Sequence, residues 1–349
     1  MSRLKKHLTL SFAFAVCVIL LGARSSFSAV AAPVGASGYS LTKTIPIPGD
    51  EGWDYLFVDS EARRAYISRG TRVVVIDVDS DKIVGEIPDT SGVHGIAIAA
   101  ELGRGFTSNG RANTVTIFDT ATLKTVDTVQ AGTNPDAIVY DPITKRVFTM
   151  NGRSGDTTAI DAATGKVLGT LTLGGKPEFA VSDRQGSIFV NNEDKSQLVE
   201  FDATKLTELH RWPLAPCEQP SGLAMDVRNR RLFAGCGNKM MAVVDADSGK
   251  VLATPAIGEG VDANAFDPGT GFAFASNGEG TLTVVHEDSP SVFTVIDSVP
   301  TKRSARTMGL DLKSHSIFLP AADFEPPAPG EWRGKMKPGS FVLLVVEKK

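Results

Sequence analysis

The stretch Ala137–Leu173, AIVYDPITKRVFTMNGRSGDTTAIDAATGKVLGTLTL, decides the fold. Ala137 to Tyr140 is a short apolar strand. Asp141-Pro142-Ile143-Thr144 is a turn, because an Asp side chain bonds nearby backbone and Pro fixes φ at the second turn position. Arg146 to Met150 alternates apolar with polar residues, as a half-buried strand does. Asn151-Gly152 is a second turn signal, Thr157 to Ile160 starts a third strand, and Asp161 to Gly165 turns again before Val167 to Leu173. Four strands in one short unit leave no room for a helix.

The unit recurs seven times. Its second strand carries an aromatic at Tyr66, Phe106, Phe148, Phe189, Phe233, Phe274 and Phe318, in steps of 40, 42, 41, 44, 41 and 44 residues. A period of about 40 to 45 residues is that of one four-stranded propeller blade. Asp59, Asp141, Asp226, Asp267 and Asp311 stand seven residues before the aromatic, Asp183 stands six before, and blade two has Ala99 instead. A later aspartate ends the third strand at Asp77, Asp119, Asp161, Asp202 and Asp245, with His286 in its place in blade six. The fold class is therefore all-β, a seven-bladed propeller forming a single domain over residues 39–349, with blades starting near 54, 94, 136, 178, 221, 262 and 306. The last unit supplies only three strands before the chain stops. The strand-like run Tyr39 to Ile47 is predicted to join the outer edge of that blade and close the ring.

Residues 1–31 read as a signal peptide: Arg3, Lys5 and Lys6, an apolar run from Leu8 to Leu21, then small residues ending at Ala31. The run is shorter than the roughly 20 residues of a spanning helix, and Cys17 lies inside it after Val16, which does not suit a lipoprotein signal. The expected location is periplasmic or secreted, with no membrane span after cleavage. Loss of residues 1–31 leaves 32 Lys plus Arg against 40 Asp plus Glu, a net charge near −8. No basic face stands out, so nucleic acid is not the expected partner. The expected species is a monomer that takes a small ligand or a protein partner.

The segments DPITKRVFTMNGRSGDTTAIDAATGKVLGTLTLGGKP and SNGRANTVTIFDTATLKTVDTVQAGTNPDAI resemble the YVTN-type β-propeller repeats of YncE-like exported bacterial proteins. The resemblance covers nearly all of residues 39–349 and implies the fold; architecture alone does not supply chemistry.

Candidate chemistry gathers at one end of the propeller. Five residues before the first-strand aspartate position lie Asp54, His94, Asp136, Glu178, Ser221, Asp262 and Arg306. Each opens an innermost strand at the same channel mouth. Crowded carboxylates raise one another's pKa or recruit a cation, and His94 among them is a candidate ligand or proton carrier. The long loop 321–340, Pro-rich and carrying Trp332 and Arg333, leaves a second strand on the same face and is expected to lean over that mouth, whereas other blades are expected to use about five to eight residues there. Cys217 and Cys236 flank the first two strands of blade five, and antiparallel pairing brings them together as a disulfide in an oxidising compartment. His210 and His315 read as surface residues, and His286, at a third-strand end, as a replacement for the structural hydrogen-bonding aspartate. No Cys-x-x-Cys-His haem motif, nucleophile elbow, phosphate loop or His-Glu-x-x-His appears.

Two readings of function remain, with no cofactor assigned beyond a possible divalent metal ion. The first is a non-catalytic binding or interaction module with its ligand site at the mouth. The second is a metal-assisted hydrolase resembling the gluconolactonase propellers, in which Asp54, Asp136, Glu178 and Asp262 stand at the depth of that class's axial ligands while His94 and Arg306 interrupt the carboxylate cage. An electron-transfer propeller lacks its cofactor motifs here.

Overall fold

In a computed structural model, which describes Met1 and residues 37–327 and 334–349, seven four-stranded antiparallel sheets form the blades of a propeller. The signal-peptide reading of residues 1–31 falls outside the described residues, apart from Met1. Blade three runs Pro135–Asp141, Arg146–Asn151, Asp156–Asp161 and Val167–Thr172, in the order the sequence predicts. The only helical turns among the described residues are two three-residue 3-10 segments. One of them, Ala100–Leu102 with Gly103 at φ 60°, makes the turn of blade two where Ala99 replaces the aspartate.

The repeat residues have distinct duties. All seven aromatics are buried, six of them with no exposed surface, so each joins the core between neighbouring blades. Asp161 accepts from Thr164 N and Oγ1, both at 2.7 Å, and holds the turn between third and fourth strands. The first-strand aspartates hold their own turns and also tie blade to blade. Asp311 takes Arg63 Nη1 at 2.6 Å, Asp267 takes His315 Nδ1 at 2.8 Å and Asp183 takes Arg230 Nη1 at 3.3 Å. In all three cases the donor is the left-handed residue just before the next blade's second strand, with φ 58° at Arg63, 53° at Arg230 and 60° at His315. His315 is thus half-exposed yet structurally bonded, where a plain surface residue was expected.

The ring closes as predicted. Tyr39–Pro46 pairs antiparallel with Val342–Lys348, from Tyr39 opposite Lys348 to Pro46 opposite Val342. Lys349 N donates to Gly38 O at 2.9 Å, so both ends of the described domain lie side by side. This closure leaves the last blade with its outer strand supplied by the start of the chain.

The second-to-third-strand connections all lie on one face, here called the top. Six blades use two to four residues for it, and the seventh runs from Ala321 to Val342; the ordinary connections are shorter than the sequence suggested because the second strands extend to their terminal Asn, Arg or Cys. The long connection is a hairpin at its base, with Phe324 opposite Met336 and Lys337 N donating to Asp323 O at 2.8 Å. Trp53 packs on Phe324 and Phe341, with ring centroids 5.9 and 5.1 Å away. Trp332 and Arg333 lie outside the described residues. Cys217 and Cys236 form the expected disulfide on the same face, with Cα atoms 5.5 Å apart.

Candidate functional site at the channel mouth

Four of the mouth residues are fixed by a neighbour blade through the main chain. Thr307 Oγ1 donates to Asp54 O at 2.7 Å, Asn191 Nδ2 to Ser221 O at 3.0 Å, and Ser276 Oγ to Arg306 O at 2.5 Å; Ser108 Oγ bonds Asp136 O. Buried carbonyls at strand starts need donors, and here adjoining blades provide them, from second-strand hydroxyls and amides at Ser108, Asn191 and Ser276 and from Thr307 just before a first strand. The mouth is consequently set by packing between blades.

The side chains then form a continuous charged arc. Arg306 Nη1 lies 2.8 Å from Asp262 Oδ2 and its Nη2 lies 3.3 Å from Asp54 Oδ1. Asp54 Oδ2 is 2.5 Å from His94 Nδ1, which is 3.6 Å from Asp136 Oδ1. On the far side Glu178 meets Lys176 Nζ at 3.1 Å. Six of the seven sequence-predicted mouth residues are thus brought into one polar bowl. Ser221 is present but committed to structure, donating to Val261 O at 2.9 Å.

Two contributors escaped sequence reasoning. Lys176, one residue before its strand, supplies the cation for Glu178. Tyr55, next to Asp54, crosses the channel from blade one to blade four, where its ring meets Phe179 edge-on at 5.3 Å and its hydroxyl lies 3.4 Å from Glu178 Oε1. It forms the floor of the bowl. An aromatic immediately after a mouth residue was the available signal, but its reach depends on the diameter of the closed ring.

Burial and charge decide the protonation states. Burial first, then the Glu178 charge, pushes Asp136 up to about 7. Burial raises Glu178 to about 7 against the Lys176 charge, and raises Asp262 to about 7 although Arg306 opposes it. For His94, burial disfavours the imidazolium, yet the hydrogen bond to Asp54 and the charges of Asp136 and Asp54 outweigh it and raise the pKa to about 9. Near neutral pH the bowl therefore holds a cationic His94 among carboxyls that share protons. Asp136 is only 9 % exposed, and its Oδ1 has no hydrogen-bond partner. A donor from outside would satisfy it.

Ligand atoms of Asp54, His94 and Asp136 lie within 4.8 Å of one another, a spacing that admits a metal ion. The chemistry of this set fits a cation less well than the distances do, since Arg306 already neutralises Asp54. On the top face, Arg306 also lines a cavity of about 650 Å³ with Phe324, Glu325 and Lys337 from the long loop.

Among solved structures, the chain is similar to the WD40 repeats of RRP9, with 10% sequence identity and a TM-score of 0.75, covering 90% of this chain and 98% of that one. It is similar also to U3-55K, at 10% identity and a TM-score of 0.73, covering 87% and 97%. At this identity the likeness shows the propeller fold. No curated protein matches the chain. Residues 111–295, more than half of the sequence, match the model of one family, and the chain belongs to that family, described as outer membrane protein assembly factor BamB.

Proposed function

We propose that the protein is an exported, monomeric, YncE-like interaction propeller whose top mouth receives a basic side chain of a protein partner. The family description refers to an assembly factor of the outer membrane, which agrees with export and with residues 1–31 acting as a cleaved signal. Among the described residues no helix is long and apolar enough to cross a membrane.

The observation that carries the reading is the buried Asp136 carboxyl, whose Oδ1 makes no hydrogen bond and has His94 Nδ1 only at 3.6 Å, set in a bowl with Glu178 and floored by Tyr55. An ammonium or guanidinium entering there supplies donors to Asp136 and Glu178, and displaces the protons they share. Arg306 holds Asp54 and Asp262 and Lys176 holds Oε2 of Glu178, so the entering cation meets Asp136 and the remaining oxygen of Glu178. Tight complementarity of this kind sets partner choice more than raw affinity.

The test is calorimetric titration with a lysine-rich peptide and its glutamate counterpart. The lysine peptide should bind, more tightly at pH 8 than at pH 6, and Asp136→Asn or Glu178→Gln should weaken it at least tenfold. Equal binding of both peptides, or indifference to both substitutions, defeats the reading. The clustering of Asp54, His94 and Asp136 favours a second reading, a divalent cation and metal-assisted hydrolysis. A thermal shift with zinc or calcium that a chelator reverses would select it over the first.

A further inference from the structure

The channel below Tyr55 is a different environment. A cavity of about 500 Å³ runs from the Tyr55–Phe179 floor to the bottom face. That volume lies within the usual range of small-molecule pockets. The first strands of six blades contribute to its wall, which is mostly apolar, with Leu56, Val58, Ile96, Ala180 and Leu310 lining it and Asn264 the buried polar exception. Water in such a tube finds few polar partners, and transfer of an apolar group into it is favourable. One end is sealed by the aromatic pair. The other opens among the turns of the bottom face, beside Glu101, Tyr140 and Arg184.

The rim charges are unequal. Glu101 is already engaged, accepting from Tyr140 Oη at 2.6 Å and bonding Lys145 Nζ. Arg184 is exposed and its guanidinium enters no ion pair or side-chain hydrogen bond among the described residues; only its backbone N is bonded, to Ser182 Oγ at 3.0 Å. Blind apolar depth with an uncommitted guanidinium at the opening matches an amphiphile with one chain and one anionic head. From Tyr55 to Val58 the wall is about 10 Å deep at roughly 3.3 Å per strand residue, which suits a chain of medium length.

We propose that the lower channel is a second binding site, which takes a single-chain carboxylate with its alkyl chain inside and its head on Arg184. The site is independent of the polar bowl, being separated from it by Tyr55. No covalent step is involved. Arg184 is preferred to a lysine for this role because its planar fork engages both carboxylate oxygens.

Titrate the purified protein with sodium dodecanoate below its micelle concentration, and in parallel with dodecyltrimethylammonium, which has the same chain and the opposite head. Dodecanoate should bind one to one, and the cationic amphiphile at least tenfold more weakly. Arg184→Glu should reverse that preference. Ala265→Phe, from the channel wall, should abolish binding; Ala97→Phe in another blade replaces it if the first variant melts abnormally. Asp136→Asn, in the upper bowl, should leave dodecanoate binding unchanged. Absence of saturable binding overturns the proposal, as does equal uptake of both amphiphiles or undiminished binding by a folded channel-filling variant. Because the lysine peptide reports on the bowl alone, failure here leaves that reading separately tested.

Discussion

At the scale of single residues, the repeat separates stability from recognition. Phe148 has no exposed surface and meets Phe201 of the next blade at 5.4 Å, so Phe148→Ala should cost about 3–5 kcal/mol, read as a lowered denaturant midpoint. Asp161→Ala removes two turn bonds at a half-exposed site on the bottom face, and about 0.5–1 kcal/mol of stability should go with them. Neither change should alter binding at the mouth, whereas Asp136→Asn should do the reverse. A common loss of binding in all three would mean that the assay reports unfolding. Arg69 shows a different use of charge: it is fully buried, its guanidinium carbon lies 3.5 Å above the Phe341 ring, and burial lowers its pKa to about 10. It anchors the root of the long connection by stacking as much as by its ion pair with Glu51.

At the scale of elements, closure depends on Tyr39–Pro46. Deleting residues 39–47 should unfold or oligomerise the protein, because Val342–Lys348 would become an unpaired edge; a monomer of unchanged melting temperature would show that the strand is dispensable. The disulfide closes a segment with a sequence separation of 19, and its reduction should cost about 3 kcal/mol by loop-entropy reasoning. Two free thiols in the unfolded, unreduced protein would contradict the bond. These elements were legible because each leaves a local mark: alternation in Arg146–Asn151, an aspartate at most of the turns, and Cys217 and Cys236 flanking the first two strands of one blade. The mouth residues were legible for the same reason, since a fixed offset from the aspartate places each at its strand's start. Tyr55 was not, because its contact with Phe179 joins blades one and four and exists only once the ring has closed. Nor was the bond from His315 to Asp267, which depends on the left-handed turn that aims the imidazole at the neighbouring blade.

At the scale of the whole molecule, the mouth couples stability to pH. Asp136, Glu178 and Asp262, raised to about 7, bind protons in the folded state that the unfolded chain has released above about pH 4. Their contribution is greatest below that point and is lost as pH rises through 7. His94, raised to about 9, contributes fully below about 6.5 and loses its share as pH rises through 9. The melting temperature should therefore fall from pH 5.5 to pH 9, and Asp136→Asn should flatten part of that slope. A melting temperature that rises across this interval would place the carboxyl protons elsewhere.

The pairing of Tyr39 with Lys348 also has a temporal side. The two residues are 309 positions apart, and at roughly 5–20 residues per second of synthesis the earlier one waits about 15 to 60 s for its counterpart. Throughout that interval the growing chain carries an incomplete final blade at one end and an unclaimed β-segment at the other. Until its last residues emerge the unclaimed segment stays open to mispairing, and that exposure ends in a single late event.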